Sequence, residues 1–259
     1  MSWFSDCCRS ENVPIGQHKL WVLEIDPRKW IEGIQAIAAI VPSHYVSPRN
    51  VARALENLGK SAAASKIRQK LPTKKPGRSG DLGEILATEW IDTQGDGYIA
   101  PIKRLRWKDH PEMPMRGDDV IAIQCDRHSQ CLRFLKAEAK SAMRLTAHAV
   151  QNARDALSRD EGCPAPHSLA FISERLAEQG KQLIADAIEA AQLRDGINKE
   201  DVRHLLFTLS GNDPQALLSR YLEDYQGRIS QWSVGLQVED HASFVKAVYD
   251  QVIADADNP

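Results

Sequence analysis

The stretch Arg116-Gly117-Asp118-Asp119-Val120-Ile121-Ala122-Ile123, followed by Leu132-Arg133-Phe134-Leu135-Lys136-Ala137-Glu138-Ala139-Lys140, decides how this chain is read. An acid heads the first apolar run, and a Glu-x-Lys triplet ends the second. Two such runs joined by a short polar turn predict a β-hairpin. Strand side chains alternate between faces, so Glu138 and Lys140 share one side of their strand while Ala137 and Ala139 take the other. With Asp119 on the neighbouring strand, two carboxylates and an ammonium group converge in one small volume.

Residues of these types suit metal-assisted attack on a phosphodiester. Hard cations such as Mg²⁺ take oxygen ligands, often one or two carboxylates completed by water and substrate phosphate. A bound metal polarises a phosphoryl oxygen, lowers the pKa of its water and stabilises the leaving oxygen. Asp119 and Glu138 are the expected ligands, the backbone carbonyl of Ala139 offers a third oxygen, and Lys140 is placed to orient the attacking water. The expected cofactor is therefore Mg²⁺, with Mn²⁺ able to substitute. Glu84, in Gly80-Asp81-Leu82-Gly83-Glu84, is a further candidate for the same metal or a second one. Asp81 and Glu84 also have the spacing of a capping box at a helix start, so a purely structural reading stands beside it.

Composition narrows the classes. A chain of 259 residues, 42% hydrophobic and 26% charged, suits one large globular unit or a core with an appendage. The natural division is residues 1–79, a strand and helices with a basic linker, and residues 80–259, the nuclease core with a helical insertion, the two expected to form one compact unit. No apolar run of about 18 residues occurs, so no membrane span is expected. The first residues lack the basic-then-apolar pattern of a secretory signal, and five scattered cysteines favour a reducing cytoplasm over a disulfide framework. A net charge of −2 gives no global attraction to nucleic acid, so DNA contacts must come from a local basic surface or a partner. The best local candidates are Lys70, Lys74, Lys75 and Arg78 in the linker. Gln151, with His148 nearby, follows the Glu-x-Lys strand and is able to steady a phosphate or water.

The remaining pattern predicts strands at 18–25, 98–107, 118–124, 132–140, 205–209 and 230–238. Helices are expected over 28–40, 47–58, the early part of 60–78, from Asp81 through Trp90, 141–158, 168–193, 213–225 and 241–254, with a loop around Pro72, Pro76 and Gly77. This alternation implies an α/β fold, a mixed sheet with helices on both faces. Two weaker motifs compete. Asp92–Ile99 imitates a calcium loop but has Lys103 where the closing Glu belongs, which leaves a turn. Cys125-x-x-His128-x-x-Cys131, completed by Cys163 or His167, has zinc-ligating residue types at an unusual spacing.

At Asp119 and Glu138-x-Lys140 the chain resembles the PD-(D/E)xK nuclease superfamily, with Gly117-Asp118-Asp119 where the name-giving Pro-Asp stands. That resemblance implies a restriction-endonuclease-like core and a helical acid before the hairpin, the place Glu84 occupies. It leaves Asp118 as a competitor of Asp119. More narrowly, the chain resembles the HamA subunits of the Hachiman anti-phage defence system. The resemblance covers most of its length and rests on the Gly-Asp-Leu-Gly-Glu helix entry, Arg116-Gly-Asp-Asp-Val-Ile and Lys136-Ala-Glu-Ala-Lys. It implies a bacterial cytoplasmic effector that works with a superfamily 2 helicase, HamB, and degrades DNA without strong sequence preference. Two alternatives remain open at this level: a non-catalytic nuclease-fold subunit that regulates a helicase, and a stand-alone restriction endonuclease with sequence-specific recognition.

Overall fold

Parallel strands buried on both faces need near-continuous apolar sequence, and Leu205-Leu206-Phe207-Thr208-Leu209 supplies it at the centre of the sheet. A computed structural model describes residues 2–125 and 132–257. Its six strands are β1 (Cys8–Ile15), β2 (His18–Ile25), β3 (Val120–Cys125), β4 (Leu132–Ala142), β5 (Val202–Ser210) and β6 (Ser230–Gln237). They lie in the order β1-β2-β6-β5-β4-β3. The middle four run parallel, and antiparallel β1 and β3 close the two edges. The sheet is therefore mixed, as the strand and helix alternation implied.

Ten α-helices among the described residues connect and cover the strands: α1 (Trp3–Cys7), α2 (Trp30–Tyr45), α3 (Pro48–Leu58), α4 (Lys60–Arg68), α5 (Lys75–Gln94), α6 (Ala147–Ser158), α7 (Pro166–Glu178), α8 (Gln182–Ala190), α9 (Gln215–Glu223) and α10 (His241–Asp257). Side-chain alternation along β5 sorts them into two layers. Leu205, Phe207 and Leu209 join the largest buried cluster with α2, α4, α5 and α10, whereas Leu206 faces α6 and α9. Further along that second face, Phe134 and Val202 pack against α7 and α8 through Leu169, Ile172, Leu176 and Ile188. The boundary expected at 79/80 falls inside α5, and the largest cluster draws residues from both sides of it.

Several expected boundaries move, each for a local reason. Helix α5 begins at Lys75 rather than near Asp81, because Pro76 sits in the first turn, where a missing N–H costs nothing. Residues 98–107 form no strand. An isolated bridge joins Ile99 to Ile123, Pro101 removes a ladder donor, and Arg104–Trp107 coil into a 3₁₀ turn. Strand β4 runs on through Ala142, and α6 starts only at Ala147, where the Thr146 hydroxyl accepts from the Ala149 N–H at 3.2 Å. The single helix expected over 168–193 is two, divided by Gly180 at φ +74°. Asp92 lies near the end of α5 and accepts from the Ala100 N–H at 2.8 Å, an ordinary turn contact in place of a calcium ligand. Two elements, α1 and β1, have no counterpart in the sequence reading. The hairpin turn and the zinc candidates His128 and Cys131 lie outside the described residues.

Candidate functional site

The hairpin register brings the two strand acids together. Val120 pairs with Ala137, so continuing the ladder by one residue sets Asp119 opposite Glu138, and directly opposed residues of an antiparallel pair share a face. Strand β3 ends here while β4 continues, which leaves backbone amides of β4 without a strand partner. Asp119 fills the gap: its Oδ2 accepts from the Ala139 N–H at 2.9 Å. The carboxylate thus sits on the residue between Glu138 and Lys140. Lys140 Nζ in turn donates to Glu138 Oε1 at 2.5 Å.

Glu84 arrives from the other side of the strand. Helix α5 approaches β4 closely at Gly83, where an added Cβ would lie 3.2 Å from Ser141 Cβ and 3.8 Å from Ala139 Cβ. The capping-box reading fails, because Asp81 and Glu84 stand well inside the helix. Asp81 instead receives Lys108 Nζ at 2.6 and 2.8 Å and the Tyr45 hydroxyl at 2.8 Å. Glu84 Oε2 lies 3.4 Å from Arg104 Nε, an ion pair whose geometry leaves both atoms without a hydrogen bond among the described residues. Arg104 also donates to the backbone carbonyls of Asp118 and Met115.

Crowding raises the proton affinity of all three acids. Burial, and then the charge of Asp119, push Glu84 up to about 8. The same two causes push Glu138 up to about 7 against the pull of Lys140. Burial also raises Asp119, opposed by the Ala139 amide, Arg104 and Lys140. A buried acid of this kind is stable while protonated and loses stability as pH climbs from its ordinary value to its raised one. In EDTA, Glu84→Gln should therefore melt higher than the parent at pH 8.5, by about 1–2 kcal/mol or about 2–8 °C. At pH 5 the two should melt together. An equal difference at both pH values would show that no ionisation of Glu84 is involved.

The competitor Asp118 is committed elsewhere. Its carboxylate lies 3.4 Å from Lys136 Nζ and accepts from the Ala165 N–H at 2.7 Å, and its own N–H donates to Ser168 Oγ at 3.1 Å. Gly117 makes that seating possible: it holds φ +95°, and an added Cβ would meet His167 Nε2 at 2.8 Å and Ser168 Oγ closer still. Asp119, not Asp118, faces Glu138.

The candidate DNA contacts are exposed or engaged with other partners. Arg78 donates to the Pro72 carbonyl at 3.0 Å, lies 3.7 Å from Asp250 and covers the Tyr249 ring at 5.1 Å. Lys70 reaches the Lys108 carbonyl at 3.3 Å, and Lys74 and Lys75 are exposed at the start of α5. Gln151 is exposed on α6 and donates to Asp155 at 2.8 Å. Two residues the sequence reading missed matter more. Arg104 reaches Glu84 from a 3₁₀ turn in a segment expected to be a strand, and Lys136 carries no signal beyond standing in an otherwise apolar run.

The donor set fits a hard divalent cation: three carboxylates, one with an unsatisfied buried oxygen, and no soft ligand among them. Among the described residues no three His, Cys, Asp or Glu side chains already converge on one point. The reason is visible in the contacts. Lys140 occupies Glu138 and Arg104 occupies Glu84, so protein cations hold the acids and would have to yield as a metal entered.

Comparison with known proteins agrees with the sequence over nearly its whole length. The Hachiman protein HamA of Bacillus cereus is 26% identical over 246 residues, covering 93% of this chain and 86% of that protein. The family model described as HamA matches residues 2–252, a span that contains every acid and base of the site, and the chain belongs to the HamA family.

Proposed function

We propose that this chain is a metal-dependent deoxyribonuclease of the PD-(D/E)xK type, the effector of an anti-phage defence system. The observation that supports it most is the seating of Asp119 on the Ala139 amide, between Glu138 and Lys140 and beside the buried carboxylate of Glu84. In this reading Asp119, Glu138 and Glu84 hold Mg²⁺ or Mn²⁺, which when bound supplies positive charge to the scissile phosphate and the leaving oxygen. Lys140, released from Glu138, orients the attacking water along the phosphodiester. Until then Glu138 accepts a hydrogen bond from Lys140 and holds the ammonium in place. Arg104 lies 3.4 Å from Glu84 and balances its charge once that acid ionises.

Membership of the HamA family, and the Hachiman designation of the Bacillus cereus relative, support a defence role. A superfamily 2 helicase partner, HamB, belongs to the same proposal. A chain of net charge −2 suits a division in which a partner supplies much of the grip on DNA. The action is proposed for the bacterial cytoplasm; no helix among the described residues is long and apolar enough to cross a membrane.

Two measurements test this. Purified protein with Mg²⁺, alone and with its helicase, should progressively degrade plasmid DNA rather than yield the discrete fragments of a sequence-specific enzyme. Mn²⁺ should raise the melting temperature, and more at pH 8.5 than at pH 6, because the acids must release protons to ligate. The occupation of Glu138 and Glu84 by protein cations favours a second reading, a nuclease fold kept only to regulate a helicase. That reading predicts no Mn²⁺-dependent shift at either pH.

A further inference from the structure

Beside the acid cluster lies a cavity of about 590 Å³, within the range of roughly 300–1,000 Å³ usual for small-molecule sites. Asp119 and Arg104 belong to both the cavity wall and the acid cluster, so the two are adjacent. Glu84, Glu138 and Lys140 are not part of its wall, which makes it a neighbour of the proposed reaction centre rather than the centre itself.

The lining divides by chemistry. The floor is apolar and aromatic: Trp107 meets Phe171 edge-on, with ring centroids 6.0 Å apart and planes at 90°, and Ile102, Ile121 and Ile172 lie beneath. Met113, 64% exposed, stands at the rim. Arg116, His110 and His167 are also exposed around the opening and offer guanidinium and imidazole nitrogens. Arg116 stands three residues before Asp119, on a loop that the Asp118 contacts to Ser168 and Ala165 pin to the start of α7. The pocket is therefore built on a fixed support and keeps its position relative to Asp119.

An aromatic floor with an exposed guanidinium, Arg116, at a rim that also carries the Asp109 carboxylate can take single-stranded nucleic acid, with a base on the rings and a phosphate on Arg116. A paired base inside a duplex cannot enter such a recess; it must first leave the stack, at a cost of a few kcal/mol that is smallest for strands already unpaired. We propose that this cavity receives an unstacked nucleotide of the DNA strand next to the scissile phosphate, which makes single-stranded or frayed DNA the preferred substrate. The proposal rests on the nuclease reading for its choice of ligand. A helicase partner would supply substrate of this form.

The test uses the full-length protein in EDTA, where neither metal binding nor cleavage contributes. A fluorescently labelled 12-nucleotide oligo-dT and a blunt 12-base-pair duplex are titrated and followed by anisotropy. The single strand should bind at least about tenfold more tightly than the duplex, and Trp107→Ala should remove about tenfold of that affinity while Trp107→Phe keeps most of it. Trp107 packs on Phe171, so its alanine variant is checked for folding, and two exposed substitutions stand beside it. Met113→Asp should weaken single-strand binding several-fold. Arg116→Ala should lower the slope of log K against log salt by about 0.7, the value for one phosphate contact on a single strand. Equal affinity for the two DNAs overturns the proposal, as does single-strand binding that all three variants leave unchanged. Failure here with an intact Mn²⁺ shift removes the pocket and spares the nuclease; the converse result removes the nuclease and spares the pocket.

Discussion

Glu138→Ala combined with Lys140→Ala should abolish DNA cleavage, by about a thousandfold or more, while the protein remains folded and as stable as the parent. The loss follows from the proposed roles: one substitution deletes an oxygen donor and the other deletes the ammonium that aligns water. Retained stability follows from their mutual contact at 2.5 Å. Deleting one partner of this partly buried pair leaves the other charge without its partner, whereas deleting both leaves none unpaired. Removing Glu138 also removes an acid held up at about 7, which is a cost to the parent at neutral pH. Plasmid nicking in Mg²⁺, circular dichroism and a melting curve in EDTA check the three parts. Nicking at the parental rate by the double variant would refute the catalytic assignment, and the melting curve shows whether a null result is only unfolding.

The largest stability loss is expected at a residue outside the acid set. Lys136 is 1% exposed, and its Nζ donates to the Arg159 carbonyl at 2.8 Å and the Cys163 carbonyl at 2.9 Å beside Asp118 at 3.4 Å. Lys136→Ala leaves two buried carbonyls and the Asp118 carboxylate without their cation. Breaking a buried pair in this way costs about 3–5 kcal/mol. Urea midpoints at constant m measure it. Lys136→Met with Asp118→Asn should recover part of the loss, because the pair is then replaced rather than broken. A loss under about 1 kcal/mol for the alanine variant would show that Lys136 is not what secures the Asp118 loop.

The hairpin and its acids were legible because period-2 alternation is a strong signal and because Glu138 and Lys140 must share a face once β4 is a strand. Asp119 is preferred to Asp118 on sequence because it directly borders the apolar run; the contacts that engage Asp118 elsewhere, with the Ala165 amide, Ser168 and Lys136, are tertiary and carry no local signal. The start of α5 was misplaced because Pro76 and Gly77 read as breakers, whereas Gly77 sits where an added Cβ would lie 3.0 Å from Pro72 Cβ and 3.1 Å from Glu112 Oε2. The segment 98–107 alternates like a strand, but tertiary contacts win: Lys103 is drawn to Glu89 at 2.7 Å and Arg106 to the Ser43 carbonyl at 2.9 Å. Arg104 was invisible for the same reason. Strand β1 escaped notice because it is an edge strand whose side chains are mostly exposed, so it needs little apolar pattern.

The unequal use of the two Asp119 oxygens has a consequence for ion choice. Oδ2 already accepts from a backbone amide, so Oδ1 keeps the larger share of the carboxylate's lone pairs for an incoming ion. A residue restricted to one-point attachment suits a small ion that keeps several of its own waters and accepts an octahedron of single contacts. A larger alkaline-earth ion, whose shell is commonly filled by clasping both oxygens of a carboxylate, gains less from it. In the proposed metal centre, that backbone contact would favour magnesium over calcium.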